Sequence, residues 1–172
     1  AYQDDKNTYL HTMSFVGKMD PIEVPIVLPN VFFDLAKWEL RPESKAALDS
    51  VYKILLANPN IAIELRSHTD FRDTDEKNQV LSQNRAQSCV DYLISKGIKA
   101  DRLGALGMGE KEPFSIPDGY KGYGAVDFPA GTALSERFIK TLPAPKQEVA
   151  HQINRRTDFK VVRDNYAPPY DP

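Results

Sequence analysis

The densest run of reactive and charged side chains is Arg66-Ser67-His68-Thr69-Asp70-Phe71-Arg72-Asp73-Thr74, and Asn78, Leu81-Ser82 and Arg85-Ala86 follow it at helical spacing. At about 100° per residue, Asn78, Leu81 and Arg85 fall on one strip of a helix. That strip borders an apolar stripe made by Ala86, Cys89, Val90 and Leu93, so Arg85 is half turned towards the core. A guanidinium there is costly to desolvate without an anion, and the loop carrying Asp70 is the nearest source in sequence. From spacing alone, the pair reads as a structural salt bridge tying a loop to a helix. A catalytic reading has some footing, because His68 and Asp70 alternate with Glu64 nearby and paired carboxylates can cleave glycosidic bonds. Against it, His11, His68 and His151 lack metal-ligand spacing such as His-Glu-x-x-His, and no serine or cysteine sits in a nucleophile motif. His68 is read as packed or bonded to its loop, and no catalytic residue, metal or cofactor is expected.

The elements that must position these residues are legible from periodicity. Ile26 to Asp34 is rich in β-branched and aromatic residues and reads as a buried strand with Asp34 near its end. Pro42 suits a first helical position, and Leu48, Val51, Tyr52 and Leu55 recur at i, i+3, i+4 and i+7, giving an amphipathic helix that ends near Asn58-Pro59. Ile61, Ile63 and Leu65 alternate with Ala62, Glu64 and Arg66 as in a strand, and Ser67 to Thr74 is a loop. Asp73 and Glu76 have capping-box spacing for a long second helix closed by Lys96-Gly97. Arg102–Met108 and Thr157–Val162 read as the third and fourth strands. Between them lies an excursion, Phe114 to about Glu148, with several prolines and one short helical pattern in Leu134, Phe138 and Ile139.

Three domain-level expectations follow: residues 1–25 as a linker or the tail of a preceding domain, 26–164 as one folded domain carrying excursion 114–148, and a proline-rich tail at 165–172. The β-α-β-α-β-β order predicts an α+β fold, a mixed four-stranded sheet with two main helices on one face. At 172 residues with formal charge -2, the chain can close one core and has no basic field for nucleic acid. No run approaches the roughly 18 apolar residues of a membrane span, and the beginning Ala1-Tyr2-Gln3 reads as a soluble piece of something longer. The lone Cys89 excludes an internal disulfide, and its helical core spacing predicts inert burial.

Several stretches, spread over Ile26–Val162, carry a family likeness. They are Phe33-Asp34 with Leu40-Arg41-Pro42-Glu43-Ser44, then His68-Thr69-Asp70, Asn78 with Leu81-Ser82 and Arg85-Ala86-Gln87, Val90 to Gly97, Gly107-Met108-Gly109-Glu110, and Asn154-Arg155-Arg156-Thr157. Together they resemble the peptidoglycan-binding domain found at the C-terminus of OmpA, in the lipoprotein Pal and in flagellar stators. The resemblance implies an OmpA-C-like two-layer sandwich in which Asp70 and Arg85 bind the diaminopimelate of a stem peptide. Phe33, Asp34, Thr69, Asn78, Leu81 and Arg155 would support them by hydrogen bonds or by walling the pocket. Diaminopimelate keeps one free amino acid centre, an ammonium and a carboxylate on one carbon, which a carboxylate and a guanidinium can answer together. A lysine in its place would leave Arg85 without its anion, a loss of roughly 1 to 3 kcal/mol.

The resemblance further implies recognition without turnover, in the periplasm of a diderm bacterium, coupling the cell wall to an outer-membrane or envelope complex. The Asn154–Val162 segment and the long excursion resemble envelope proteins of the Bacteroidetes, including a subunit attached to the type IX secretion apparatus. Two features depart from the family: Asp73 stands where relatives carry a small residue or glycine, and the excursion is long. The alternatives are a peptidoglycan-cleaving enzyme and a purely protein-binding envelope module whose surface is Tyr120, Tyr123 and Phe128. Phe71 either walls the ligand or covers the core. Replacing Asp70 or Arg85 by alanine is expected to abolish most retention on sacculi and to leave melting nearly unchanged.

Overall fold

The computed structural model describes residues 25–120 and 128–169. The expected linker, apart from Pro25, and Tyr123 lie outside them, as do the last three residues of the expected tail. The elements run β1 (Ile26–Leu28), α1 (Pro42–Ala57), β2 (Ala62–His68), α2 (Asp75–Ser95), β3 (Leu103–Gly109), α3 (Glu136–Ile139), α4 (Ala144–Asn154) and β4 (Thr157–Arg163). The sheet order is β1-β4-β2-β3, with β2 and β3 parallel and the other two pairs antiparallel. This is the mixed four-stranded α+β sheet expected.

Strand alternation sends Ile63 and Leu65 of β2, with Phe159 and Val161 of β4, into one face of the sheet. Leu48, Val51, Ile54 and Leu55 of α1 and Cys89, Val90 and Leu93 of α2 close over that face and complete the main core. Burial pushes the Cys89 thiol up to about 12, so it remains a neutral apolar side chain. Helix α2 also shields the open edge of β3. Gln79 donates to the Gly107 carbonyl at 2.6 Å, Gln83 donates to Ala105 O at 3.1 Å and accepts from Gly107 N at 2.8 Å, and Ser82 Oγ accepts from Gly109 N at 2.9 Å. Side chains thereby satisfy an edge that would otherwise invite another strand. A Cβ on Gly107 would lie 2.3 Å from the Gln83 nitrogen, so only glycine permits this approach.

Three local expectations change. The first strand is only three residues long, because Pro29 lacks a donor and Asn30 turns the chain at φ 64°; Phe33 and Asp34 therefore lie in the following loop. The N-cap of α2 is Thr74, whose hydroxyl accepts from Lys77 N, while Asp73 accepts from Thr74 N and makes no capping box. The excursion ends in an 11-residue helix, α4, that the proline content concealed. Pro143 caps this helix and Pro145 sits in its first turn, where a missing N–H is no loss. Ile116, Phe128, Leu134, Ile139, Ala150 and Ile153 form a second small core beneath it, against which Phe71 and Tyr120 pack. Beyond β4 the chain stays docked as far as Tyr166, 7% exposed, whose hydroxyl donates to Asp101 at 2.8 Å.

Candidate functional site

The end of β2 is held on both sides: His68 N donates to Arg156 O and Thr69 N to Gly109 O, each at 2.8 Å. Asp70 follows directly, and Asn78, 4% exposed on the first turn of α2, donates to its main-chain carbonyl at 3.1 Å and to Asp73 O at 3.4 Å. Loop and helix are thus tied around the Asp70 carboxylate. Oδ1 accepts from Arg72 N at 3.0 Å and Arg72 Nε at 3.2 Å; Oδ2 accepts from Arg72 Nη2 at 2.8 Å and Arg155 Nη1 at 2.6 Å. Burial alone would raise this carboxyl, but the hydrogen bonds from Arg72 and Arg155 outweigh it and hold Asp70 at about 2.

The two arginines are joined a second time through Glu148 of α4. Arg72 Nη1 lies 2.8 Å from Glu148 Oε2 and Arg155 Nη2 lies 3.3 Å from Oε1, closing a ring of two carboxylates and two guanidiniums. Asp70 is its inner member, with a side chain 10% exposed against 50% for Glu148.

Arg85 does not enter that ring. The salt bridge read from spacing does not form, because Arg72 and Arg155 occupy Asp70 and the Arg85 side chain runs instead to the loop after β1. There its Nε donates to Lys37 O at 2.8 Å and its Nη2 to Asp34 O at 3.2 Å, with the guanidinium 4.9 Å above the Phe33 ring. Arg85 is 8% exposed and pairs with no carboxylate among the described residues. Burial, reinforced by repulsion from Arg155 and opposed by attraction from Asp70, shifts its pKa downward. Arg85, Arg155 and Asp70 therefore share one electrostatic neighbourhood, in which Arg85 is the cation lacking an anion.

Around these, the expected supporting residues fall as follows. Thr69 is buried and its Oγ1 makes no hydrogen bond among the described residues. Leu81 is half-buried between Asn78 and Arg85 on their strip of α2. Phe33 lies under Arg85, and Asp34 serves it by a carbonyl while its own exposed carboxylate sits 3.7 Å from Arg41. Phe71 leans on the second core, its ring 5.0 Å from that of His151. Sequence reasoning missed Arg72 and Glu148 as members of the site. Glu148 was hidden with helix α4, although Leu142 before Pro143 and Pro145, and Val149, Ala150 and Ile153 after them, carry an i, i+7, i+8, i+11 signal.

On the opposite face of the sheet lies a second polar cluster. Asp158, 1% exposed, accepts from Arg66 at 2.7 and 3.2 Å and bonds His68 Nε2 at 2.8 Å. Burial lowers the pKa of His68 despite that carboxylate, so the ring stays neutral, as a packed histidine should. Among the described residues no group of His, Cys, Asp or Glu could hold a metal, and no helix is long and apolar enough to cross a membrane.

A family model described as the OmpA family matches residues 32–120, just over half of the 172. The chain belongs to the OmpA family. Every expected site residue except Arg155 lies within the matched region of this OmpA family domain; Glu148 lies outside it. The domain is 48% identical over 110 residues to outer membrane protein A of Shigella flexneri, covering 56% of this chain and 32% of that protein. It is 43% identical over 94 residues to outer membrane protein A of Serratia odorifera, covering 54% and 39%. The chain thus spans about a third of the length of these relatives. Among solved structures, the cell wall anchor of the T6SS from Pseudomonas aeruginosa aligns at TM-score 0.56 and 19% identity, covering 91% of this chain and 95% of that one. A putative MotB like protein from Desulfovibrio vulgaris aligns at 0.55 and 19%, covering 96% and 91%. These two share the fold.

Proposed function

We propose that this OmpA family domain binds peptidoglycan without cleaving it, gripping the diaminopimelate of the stem peptide between Asp70 and Arg85. The observation that carries the reading is Arg85: a buried guanidinium held by two carbonyls, within the influence of the Asp70 carboxylate yet paired with none among the described residues. A ligand carboxylate would complete it with charge-assisted hydrogen bonds, and the ammonium on the same carbon would face Asp70. Thr69, Asn78, Leu81, Phe33, Asp34 and Arg155 would shape the surroundings of that pair. Two solved structures of this fold carry names that agree with attachment to the wall, a cell wall anchor from Pseudomonas aeruginosa and a peptidoglycan-associated lipoprotein from Burkholderia pseudomallei.

On this reading the folded unit of 26–164 works in the periplasm, tethering an outer-membrane or envelope complex to the wall; attachment to a type IX secretion apparatus is its narrowest form. The test is calorimetry of the protein with a soluble muropeptide. A diaminopimelate ligand is expected to give saturable heat and a lysine-containing counterpart to bind at least tenfold more weakly, about the 1.4 kcal/mol of an unpaired buried partner. Absence of heat beyond dilution at millimolar ligand, or equal affinity for the two, overturns the assignment. Release of soluble fragments from purified sacculi would point to hydrolysis instead.

A further inference from the structure

Asp70 as it stands is fully engaged. A carboxylate offers about four acceptor positions, and Arg72 N, Nε and Nη2 with Arg155 Nη1 supply four donors. An ammonium cannot reach Asp70 unless one of these donors leaves. The two guanidiniums differ in how easily they can. Arg155 makes the shorter contact with Asp70 and its side chain is 33% exposed; Arg72 is 46% exposed, lies in the loop itself, and has Nη1 at 2.8 Å from Glu148, closer than the 3.3 Å of Arg155 Nη2.

We propose that Glu148 is a specificity-determining residue of this site: it receives the Arg72 guanidinium when a ligand ammonium takes over Asp70. The ring is then an exchange of partners, with Arg72 as the donor that lets go and Glu148 as the acceptor that keeps it. This rests on the diaminopimelate reading and explains how an occupied Asp70 can still serve it. Charge counting supports the role. In the occupied site Arg72, Arg85, Arg155 and the ligand ammonium are four cations; Asp70, Glu148 and the ligand carboxylate are three anions. Without Glu148 the excess positive charge doubles, and the freed Arg72 loses the second of the two carboxylates it contacts among the described residues. Glu148 comes from α4, outside the region that the family match covers, so this would be a property of the chain's own excursion.

Calorimetry on four proteins tests it: wild type, Glu148→Gln, Arg72→Gln and the double variant. Each is titrated with a diaminopimelate muropeptide bearing a free amine and with the same ligand acetylated on that amine. Glu148→Gln is expected to weaken the free-amine ligand about fivefold, the scale of one partly exposed ion pair. It should leave the acetylated ligand within about twofold, since that ligand never displaces Arg72. In the Arg72→Gln background, adding Glu148→Gln should cost less than about twofold, because the guanidinium that changes partner is already gone and Arg155 keeps Asp70 throughout. Equal losses for both ligands, or an undiminished loss in the Arg72→Gln background, overturn the exchange while the peptidoglycan reading stands. Failure of wild type to bind either ligand overturns both.

Discussion

Asp70→Asn removes the charge at the centre of the ring while keeping the shape of the side chain, and it turns one of the two accepting oxygens into an amide donor. In the folded protein the carboxyl is held at about 2 against an ordinary value of 3.8. That gap corresponds to about 2.4 kcal/mol of extra stability at neutral pH, at about 1.36 kcal/mol per tenfold. Arg72 is half exposed, so solvent screening reduces the usable part to about 1–2 kcal/mol. For a chain of this length the variant should melt roughly 2–8 °C lower at pH 7. The sign of the pH dependence is fixed by the direction of the shift. A carboxyl whose pKa is depressed by folding stabilises fully above 3.8 and loses that contribution as the pH falls through about 2. Thermal melts from pH 7 to pH 2 should therefore begin apart and converge. Coincident melts at pH 7, or a gap undiminished at pH 2, would refute the account. The expectation that replacing Asp70 leaves melting nearly unchanged is thereby revised, since the residue ties its own loop to Arg155 at the end of α4.

For Arg85 that expectation stands. Arg85→Met removes two hydrogen bonds to carbonyls but also a desolvated charge, so melting should move by less than about 3 °C, while muropeptide binding should weaken by about 2–4 kcal/mol in calorimetry. Gly107→Ala drives a Cβ to 2.3 Å from the Gln83 nitrogen and should cost about 3 kcal/mol or more in urea unfolding; at Gly104, where the nearest atom is 3.6 Å away, alanine should be tolerated within about 1 kcal/mol. Asp158→Asn weakens the buried partner of Arg66 and should destabilise by about 3 kcal/mol, seen as an earlier urea midpoint with an unchanged slope.

What was legible in the sequence is what a single period encodes. The stripe of α1 and the alternation of β2 and β4 reproduce the structure within a residue or two, because each buries one face against one core. Asn78, Leu81 and Arg85 fall on one strip for the same reason. The partners of Asp70 were not legible. Arg155 is 85 residues away and Glu148 stands on a helix whose period is masked by prolines at its start. A salt bridge inferred from sequence proximity picks the nearest charge along the chain, whereas the fold picks the nearest in space. The length of β1 failed for a local reason: Phe32 and Phe33 have strand propensity, but Pro29 and Asn30 had already turned the chain.

The site ultimately depends on strand register. Arg66 and Asp158 face each other across β2 and β4 in antiparallel pairing, and Ser67 is paired with Thr157. Continuing along β2 past Arg66 while moving back along β4 past Asp158 brings Asp70 and Arg155 to the same end of the sheet. Arg155 and Arg156 are adjacent, yet Arg155 binds Asp70 while Arg156 stacks 5.2 Å from Phe114 and lies 3.8 Å from Asp158; burial lowers the latter guanidinium to about 10. A slip of one residue would exchange the faces of every side chain on β4 and strand Asp158 among the apolar residues of the main core. The buried Arg66–Asp158 pair, costly as a source of stability, thus acts as a registry mark. It fixes which end of the sheet receives Asp70 and Arg155, and α2, bonded to the edge of β3 at Gly107 and Gly109, brings Arg85 to that same end.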